Sequence, residues 1–118
     1  MISVIDDDAS VRRAVSRLIR SASFDVSTYE SAEEFMADES APGSDCLILD
    51  LHLPGIDGLQ LQSELASKGS ECPIVFITAF DDESARTQAL EAGASDFLRK
   101  PIDSERLIDA VQAALRQA

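Results

Sequence analysis

Five short apolar runs alternate with five stretches of helical period along these 118 residues, and that alternation leaves few folds open. The first run is Ile2–Asp6, with Ser3-Val4-Ile5 at its centre, and a helix follows from about Ser10 to Ala22. Val11, Ala14, Val15, Leu18, Ile19 and Ala22 give that helix its apolar period. Val26–Tyr29 is the second strand, with Phe24 just before it. Ser31-Ala32-Glu33-Glu34 then reads as a capping box that opens a helix carrying Phe35 and Met36, broken at Pro42-Gly43. Cys46–Asp50 is the third strand, and a helix from about Asp57 to Ser67 places Leu61 and Leu65 one turn apart. Pro73–Thr78 leads to a fourth helix over about Asp82 to Ala92, closed by Gly93. Ser95–Arg99 is the last strand, and the fifth helix begins near Asp103 or Ser104 with Leu107, Ile108, Val111, Ala114 and Leu115 on one face. Strand and helix in strict turn, with short connections, predict an α/β fold. It is a (βα)5 doubly wound, parallel five-stranded sheet covered on both faces by right-handed crossovers.

In such a sheet, ligands bind at the edge where strands end. Asp50 closes the apolar run Cys46-Leu47-Ile48-Leu49, and Leu51-His52-Leu53-Pro54-Gly55-Ile56-Asp57-Gly58 follows it, a tight loop into a helix. Taken alone, Asp50 reads as an ordinary turn-capping acid. Three more strands end in polar groups, however. Asp6-Asp7-Asp8 follows the first, Thr78-Ala79 ends the fourth, and Lys100-Pro101 ends the fifth. Parallel strands bring all four endings to one edge.

The length makes one domain, residues 1–118, large enough for a real core. No apolar run approaches the ~20 residues of a membrane span. The N-terminus lacks a basic region followed by an apolar stretch, so a cytoplasmic chain without membrane contact is expected. Cys46 and Cys72 have no metal-ligand spacing and read as small hydrophobes in a reducing compartment. His52 is the single histidine, which makes a zinc site improbable. The net charge of −12, from 22 acids and 10 bases, argues against nucleic-acid binding by this segment. Much of the acid reads as solvated helix surface, such as Glu30, Glu33, Glu34, Asp38 and Glu39. The fourth helix offers mostly Ala85, Ala89, Leu90 and Ala92 to the core, so it anchors weakly and is a candidate moving part.

Together, Val4-Ile5-Asp6-Asp7-Asp8, Leu49-Asp50-Leu51-His52-Leu53-Pro54-Gly55-Ile56-Asp57-Gly58, Thr78-Ala79 and Lys100-Pro101 resemble the response-regulator receiver domain of two-component signalling, over the whole chain. The resemblance implies strand order 2-1-3-4-5 and phosphorylation of Asp50 by a sensor histidine kinase. The residues fit that chemistry. Three crowded carboxylates resist joint ionisation and call for a cation. Oxygen ligands beside a phosphoryl group suit Mg²⁺, with Mn²⁺ as an alternative. An ionised Asp50 is a nucleophile, while Lys100 and the Thr78 hydroxyl can meet the phosphoryl oxygens. By analogy with the family, Asp7, Asp50 and the backbone carbonyl of His52 ligate the metal, and Asp6 acts through water. Asp8 matches no reactive position and reads as solvated or as a helix cap.

The resemblance also implies a switch, in which Thr78 moves toward the phosphoryl group and Phe97 turns inward, and a cis bond before Pro101. Phe97 as plain core is equally open from the sequence. His52 departs from the small amide or basic residues common at its position. It tunes water access to the acyl phosphate or is plain surface, and Phe80 shields the same mouth. The switch is expected to alter the surface of the fourth helix, fifth strand and fifth helix. There Arg86, Glu91, Asp96, Arg99 and Arg106 offer mixed charge for pairing across a two-fold axis in a phosphorylated homodimer. The partner is expected to be an output domain outside this chain, of LuxR helix-turn-helix type, controlling transcription in a DNA-binding full-length protein. Such a domain catalyses only its own phosphorylation and hydrolysis. Three rivals are weaker. A haloacid-dehalogenase-type phosphatase needs a second Asp where His52 stands, and a degenerate interaction module would not keep Asp6, Asp7, Asp50, Thr78 and Lys100 together. A flavodoxin-like cofactor binder would meet its phosphate with Asp6-Asp7-Asp8, not with a Gly- or Ser/Thr-rich loop.

Overall fold

The computed structural model describes residues 1–38 and 43–117. Glu39 of the expected acidic face and Pro42 of the expected helix break lie outside the described residues. In chain order the elements are β1 Ile2–Ile5, α1 Ala9–Ser21, β2 Val26–Tyr29, α2 Ala32–Ala37 and β3 Cys46–Asp50, then α3 Gly58–Ser67, β4 Ile74–Thr78, α4 Glu83–Glu91, β5 Asp96–Arg99 and α5 Ser104–Gln117. All strand pairs are parallel and the sheet runs β2-β1-β3-β4-β5, the order the resemblance implies. Among the described residues, no helix is long and apolar enough to cross a membrane.

The three central strands, β1, β3 and β4, are buried at every residue, because helices cover both faces. On one face Val15 and Ile19 of α1 and Leu107 and Val111 of α5 pack against Val4 and Ile48. On the other, Tyr29, Phe35, Leu61 and Phe76 pack under α2, α3 and α4. Ala14 is exposed and Ser16 takes a buried place on α1, so the apolar stripe there is narrower than the sequence suggests. Leu90 is exposed as well, leaving α4 with only Ala85 and Ala89 buried.

Short polar residues fix where the helices start. Asp8, Ser31, Asp57 and Asp82 are N-caps whose side chains accept from backbone N–H groups of the first turn. Ser31 accepts from Glu34, the serine half of the expected box. Both halves form at α3, where Asp57 and Gln60 exchange hydrogen bonds of 2.9 Å each way. Gly58, the first residue of α3, is required by close approach. A Cβ there would sit 2.7 Å from the Asp50 carbonyl oxygen and 3.0 Å from the Phe76 ring. Helix α3 thus starts pressed against the end of β3, which sets the floor of the edge where Asp50 emerges.

Candidate functional site

Register alone stacks the polar strand endings. Ile5 lies opposite Leu49, so Asp6 comes level with Asp50. Asp50 lies opposite Ile77, which carries Thr78 one step beyond it, and Thr78 lies opposite Arg99, which carries Lys100 one step further. The sheet therefore delivers two acids, a hydroxyl and an ammonium side by side along its C-terminal edge. Asp6 and Thr78 are 0% exposed and Asp50 is 4% exposed, while Asp7 faces solvent at the rim. Carboxylate oxygens of Asp6, Asp7 and Asp50 lie within 4.8 Å of one another. Lys100 Nζ sits 2.8 Å from Asp6 Oδ2 and 3.7 Å from Asp50 Oδ2.

Backbone N–H groups hold the acids in place. Asp8 N–H donates to Asp6 Oδ1 at 2.9 Å, and His52 N–H donates to Asp50 Oδ1 at 3.4 Å. Asp8 itself accepts from Ser10 and Val11 at the start of α1, so it is a cap and not part of the pocket. Thr78 Oγ1 accepts from Phe80 N–H at 3.1 Å, and the Thr78 carbonyl accepts from Lys100 N–H at 2.7 Å. The Lys100–Pro101 bond is cis.

The electrostatics follow from crowding. Burial first, and the Asp6 charge second, push the Asp50 carboxyl up to about 7, against the pull of Lys100 and the His52 N–H. Burial draws the Lys100 ammonium down, but the hydrogen bond to Asp6 and the charges of Asp50, Asp6 and Asp7 outweigh it and raise it above the ordinary lysine value. Three clustered carboxylates facing one ammonium leave an excess of negative charge, and every donor atom is a hard oxygen. The residues fit a divalent cation.

At the mouth, the rings of His52 and Phe80 meet edge to face with centroids 4.9 Å apart. Phe97 is half-buried against Phe76, centroids 6.1 Å apart, on the α2–α3–α4 side of the sheet. The charges of the α4–β5–α5 surface are largely paired inside the chain. Arg106 holds Asp96 through two bonds of 2.7 and 3.0 Å, Arg99 reaches Asp81 at 3.5 Å, and Arg86 approaches Glu83 at 3.9 Å. A two-fold partner would therefore meet ion pairs already formed, because β5 and α5 fold back to bring Asp96 under Arg106. That hydrogen bond, outweighing the cost of burial, holds Asp96 below the usual carboxylate range.

Two contributors carry no sequence motif. Arg12 of α1 donates to the Asp6 carbonyl at 2.7 Å, placing a cation behind the acidic turn. Glu33 accepts from Ile56 N–H at 3.3 Å and ties the loop after β3 to α2. The site residues named from the sequence, Asp6, Asp7, Asp50, Thr78 and Lys100, are brought together. Phe97 and Pro101 lie next to them on the same strand and its exit.

A family model described as the response regulator receiver domain matches residues 2–112. The transcriptional regulatory protein TdiR of Thauera aromatica is 42% identical over 114 residues, covering 97% of this chain and 50% of TdiR. The chain spans about half the length of the curated relatives it matches. Among solved structures, the response regulator StyR superposes with a TM-score of 0.90 at 40% identity, over 98% of this chain and 59% of StyR. The receiver domain of NtrX from Brucella abortus superposes with a TM-score of 0.92 at 28% identity, over the full length of both chains. A parallel sheet of order 2-1-3-4-5, five helices and this family match lead to one assignment: the chain belongs to the response-regulator receiver domain family.

Proposed function

We propose that Asp50 accepts a phosphoryl group from a phosphohistidine on a sensor kinase. The observation that carries this reading is the pocket itself: a carboxylate at the end of β3 with Lys100, Thr78, Asp6 and Asp7 converging on it. In the transfer, an Asp50 oxygen forms a bond to phosphorus as the phosphorus–nitrogen bond breaks, and the imidazole keeps that electron pair. Lys100 needs only a side-chain rotation to leave Asp6 for a phosphoryl oxygen. The Thr78 hydroxyl donates to another. Asp7, Asp50 and the His52 carbonyl would hold Mg²⁺, with Asp6 behind water. Bound Mg²⁺ favours the ionised form of Asp50 and offsets charge on the phosphoryl oxygens.

The output is a change of the α4–β5–α5 surface. Thr78 and Lys100 end the strands that flank α4, and α4 is held by two alanines, so a pull on Thr78 acts on the least anchored helix. Phe97 turns into the space that Thr78 leaves. In the full-length protein that surface controls an output domain of helix-turn-helix type, and through it transcription. Relatives about twice as long, TdiR among them described as a transcriptional regulatory protein, support this reading. A phosphorylated homodimer through the same surface forms once the Asp96–Arg106 pair re-partners or is left intact at its rim.

The test is intact mass after incubation with a small acyl phosphate and Mg²⁺. Wild type should gain one phosphoryl group and Asp50→Asn should gain none. Equal labelling of the variant moves the acceptor elsewhere. Mg²⁺ should also raise the melting temperature by mass action, and Asp7→Ala should lose most of that shift.

A further inference from the structure

We infer that the groove between α1 and β2 binds a short phosphate chain, the di- or triphosphate group of a small anion. Arg13, Arg17, Arg20 and the Ser16 hydroxyl hold it. The protein has 22 acids and 10 bases, yet four of the bases stand on the 13 residues of α1, with no acid among them. Arg12, the first, is engaged inside the chain: it donates to the Asp6 carbonyl and to Glu30. Arg13, Arg17 and Arg20 are exposed, and among the described residues no carboxylate comes within ion-pair reach of them. Arg86, Arg99, Lys100 and Arg106 on other elements each hold a carboxylate. Steps of four and three residues set the three free guanidiniums in one row along α1, where like charges repel. In so acidic a chain, a row left without counter-charge is a place for an anion from outside.

A second observation points to the same place. The row borders an open groove of about 440 Å³, with exposed Thr28 of β2 also in its lining. Ser16 is the buried member of that lining, 4% exposed, and its Oγ has no hydrogen-bond partner among the described residues. A buried hydroxyl left unpaired costs stability, and a ligand oxygen that accepts from it removes the cost. The groove thus combines free guanidiniums with a donor that waits for an acceptor.

The chemistry selects phosphate over other anions. Guanidinium forks match phosphate oxygens two at a time. Seven residues of helix separate Arg13 from Arg20, a rise of about 10 Å. That is too long for a single phosphate ion and suits two or three linked phosphoryl groups. A net charge of −12 repels anions at long range, so capture depends on this row and not on a diffuse field. Arg12 stands between the groove and the acidic edge, with one nitrogen on the Asp6 carbonyl. The site is therefore separate from the Asp50 pocket and stands whether or not Asp50 is the acceptor.

The experiment is calorimetric titration with inorganic triphosphate, in chelator so that no metal bridges the anion to Asp6, Asp7 and Asp50. Wild type should bind one triphosphate per chain, more weakly as salt rises. Arg17→Ala, at the centre of the row, should weaken binding about tenfold, and Arg13→Ala and Arg20→Ala about threefold each. Lys68→Ala, which removes an exposed cation at the end of α3, should change nothing. Ser16→Ala should weaken binding severalfold while its melting temperature stays level or rises, because an unpaired buried hydroxyl is gone. Tighter binding of ATP than of triphosphate assigns a nucleotide as the source, and equal binding assigns the phosphate chain alone. Several results overturn the site: no binding by wild type, equal losses in Lys68→Ala and Arg17→Ala, or unchanged binding by Ser16→Ala. A lower melting temperature of Ser16→Ala, or equal affinity for an oligoglutamate peptide of the same charge, overturns it too.

Discussion

The two faces of the sheet are built differently. Among the described residues the α1–α5 face buries no aromatic side chain and has Phe24 only half-buried at its margin; Val15, Ile19, Leu107 and Val111, from helices of 13 and 14 residues, are every one 0 or 1% exposed. The α2–α3–α4 face holds the aromatic residues Tyr29, Phe35, Phe76 and Phe97, under helices of 6, 10 and 9 residues. Its last helix meets them with alanine. Branched aliphatic chains interlock and resist displacement, whereas a flat ring against a methyl group can swing at little cost in packing. One face anchors the sheet, and the other is free to change shape beside the acidic edge.

The contrast can be broken by mutation, most strongly on the anchoring face. Leu107→Ala should cost about 2–5 kcal/mol in urea unfolding, since the side chain is fully buried and its neighbours cannot collapse. A cost below that range would mean this face is looser than its burial implies. Gly58→Ala should cost about 1–3 kcal/mol, because the new Cβ meets the Asp50 carbonyl and the Phe76 ring, and it should also slow phosphorylation by shifting the acceptor.

The pocket sharpens the comparison through pH. Asp50 titrates at about 7 in the fold and near the ordinary aspartate value of 3.8 when unfolded. A raised folded value means the native state binds the proton more tightly. Its stabilising contribution is full below the unfolded value and is lost as pH rises through about 7. With a chelator present, Asp50→Asn should therefore be about 1–2 kcal/mol more stable than wild type near pH 8, after screening at the rim, and no more stable near pH 4. A constant difference across pH in urea unfolding would place the strain elsewhere. The smallest effect belongs to α4. Ala89→Gly should cost about 1 kcal/mol, and α4 amides should exchange with deuterium ahead of those of α1 and α5. Equal protection of all three helices would remove the distinction between the faces.

The sequence disclosed where the elements start to within a residue or so because polar caps sit where apolar runs stop: Asp8, Ser31, Asp57 and Asp82 each mark a start. It misjudged the end of α2, which stops at Ala37 and not at the expected Pro42-Gly43 break. It disclosed the pocket because parallel strands turn position along the chain into position along an edge. What stayed hidden depends on side-chain torsions and on packing between distant segments. The Asp96–Arg106 pair joins residues on either side of a turn, and nothing in the spacing favours it over an intermolecular pair. Arg12 reaches the Asp6 carbonyl from the first turn of α1, where an exposed arginine would look the same in sequence. The stripe on α1 misled at Ala14 and Ser16, because apolar and small residues trade places at the margin of a buried face.

The resting position of Lys100 has a kinetic consequence. Its side chain is mostly covered, and its ammonium lies closer to Asp6 than to Asp50, at 2.8 against 3.7 Å. On the proposed reading, meeting a phosphoryl oxygen is an exchange of anionic neighbours that asks little further dehydration of a side chain already mostly covered. Rotations of that kind finish in picoseconds to nanoseconds, far ahead of the microsecond to millisecond shifts of helices. The lysine therefore sets no clock, and the tempo of signalling is left to the slower parts around it: arrival of the donor, movement of α4 and departure of phosphate.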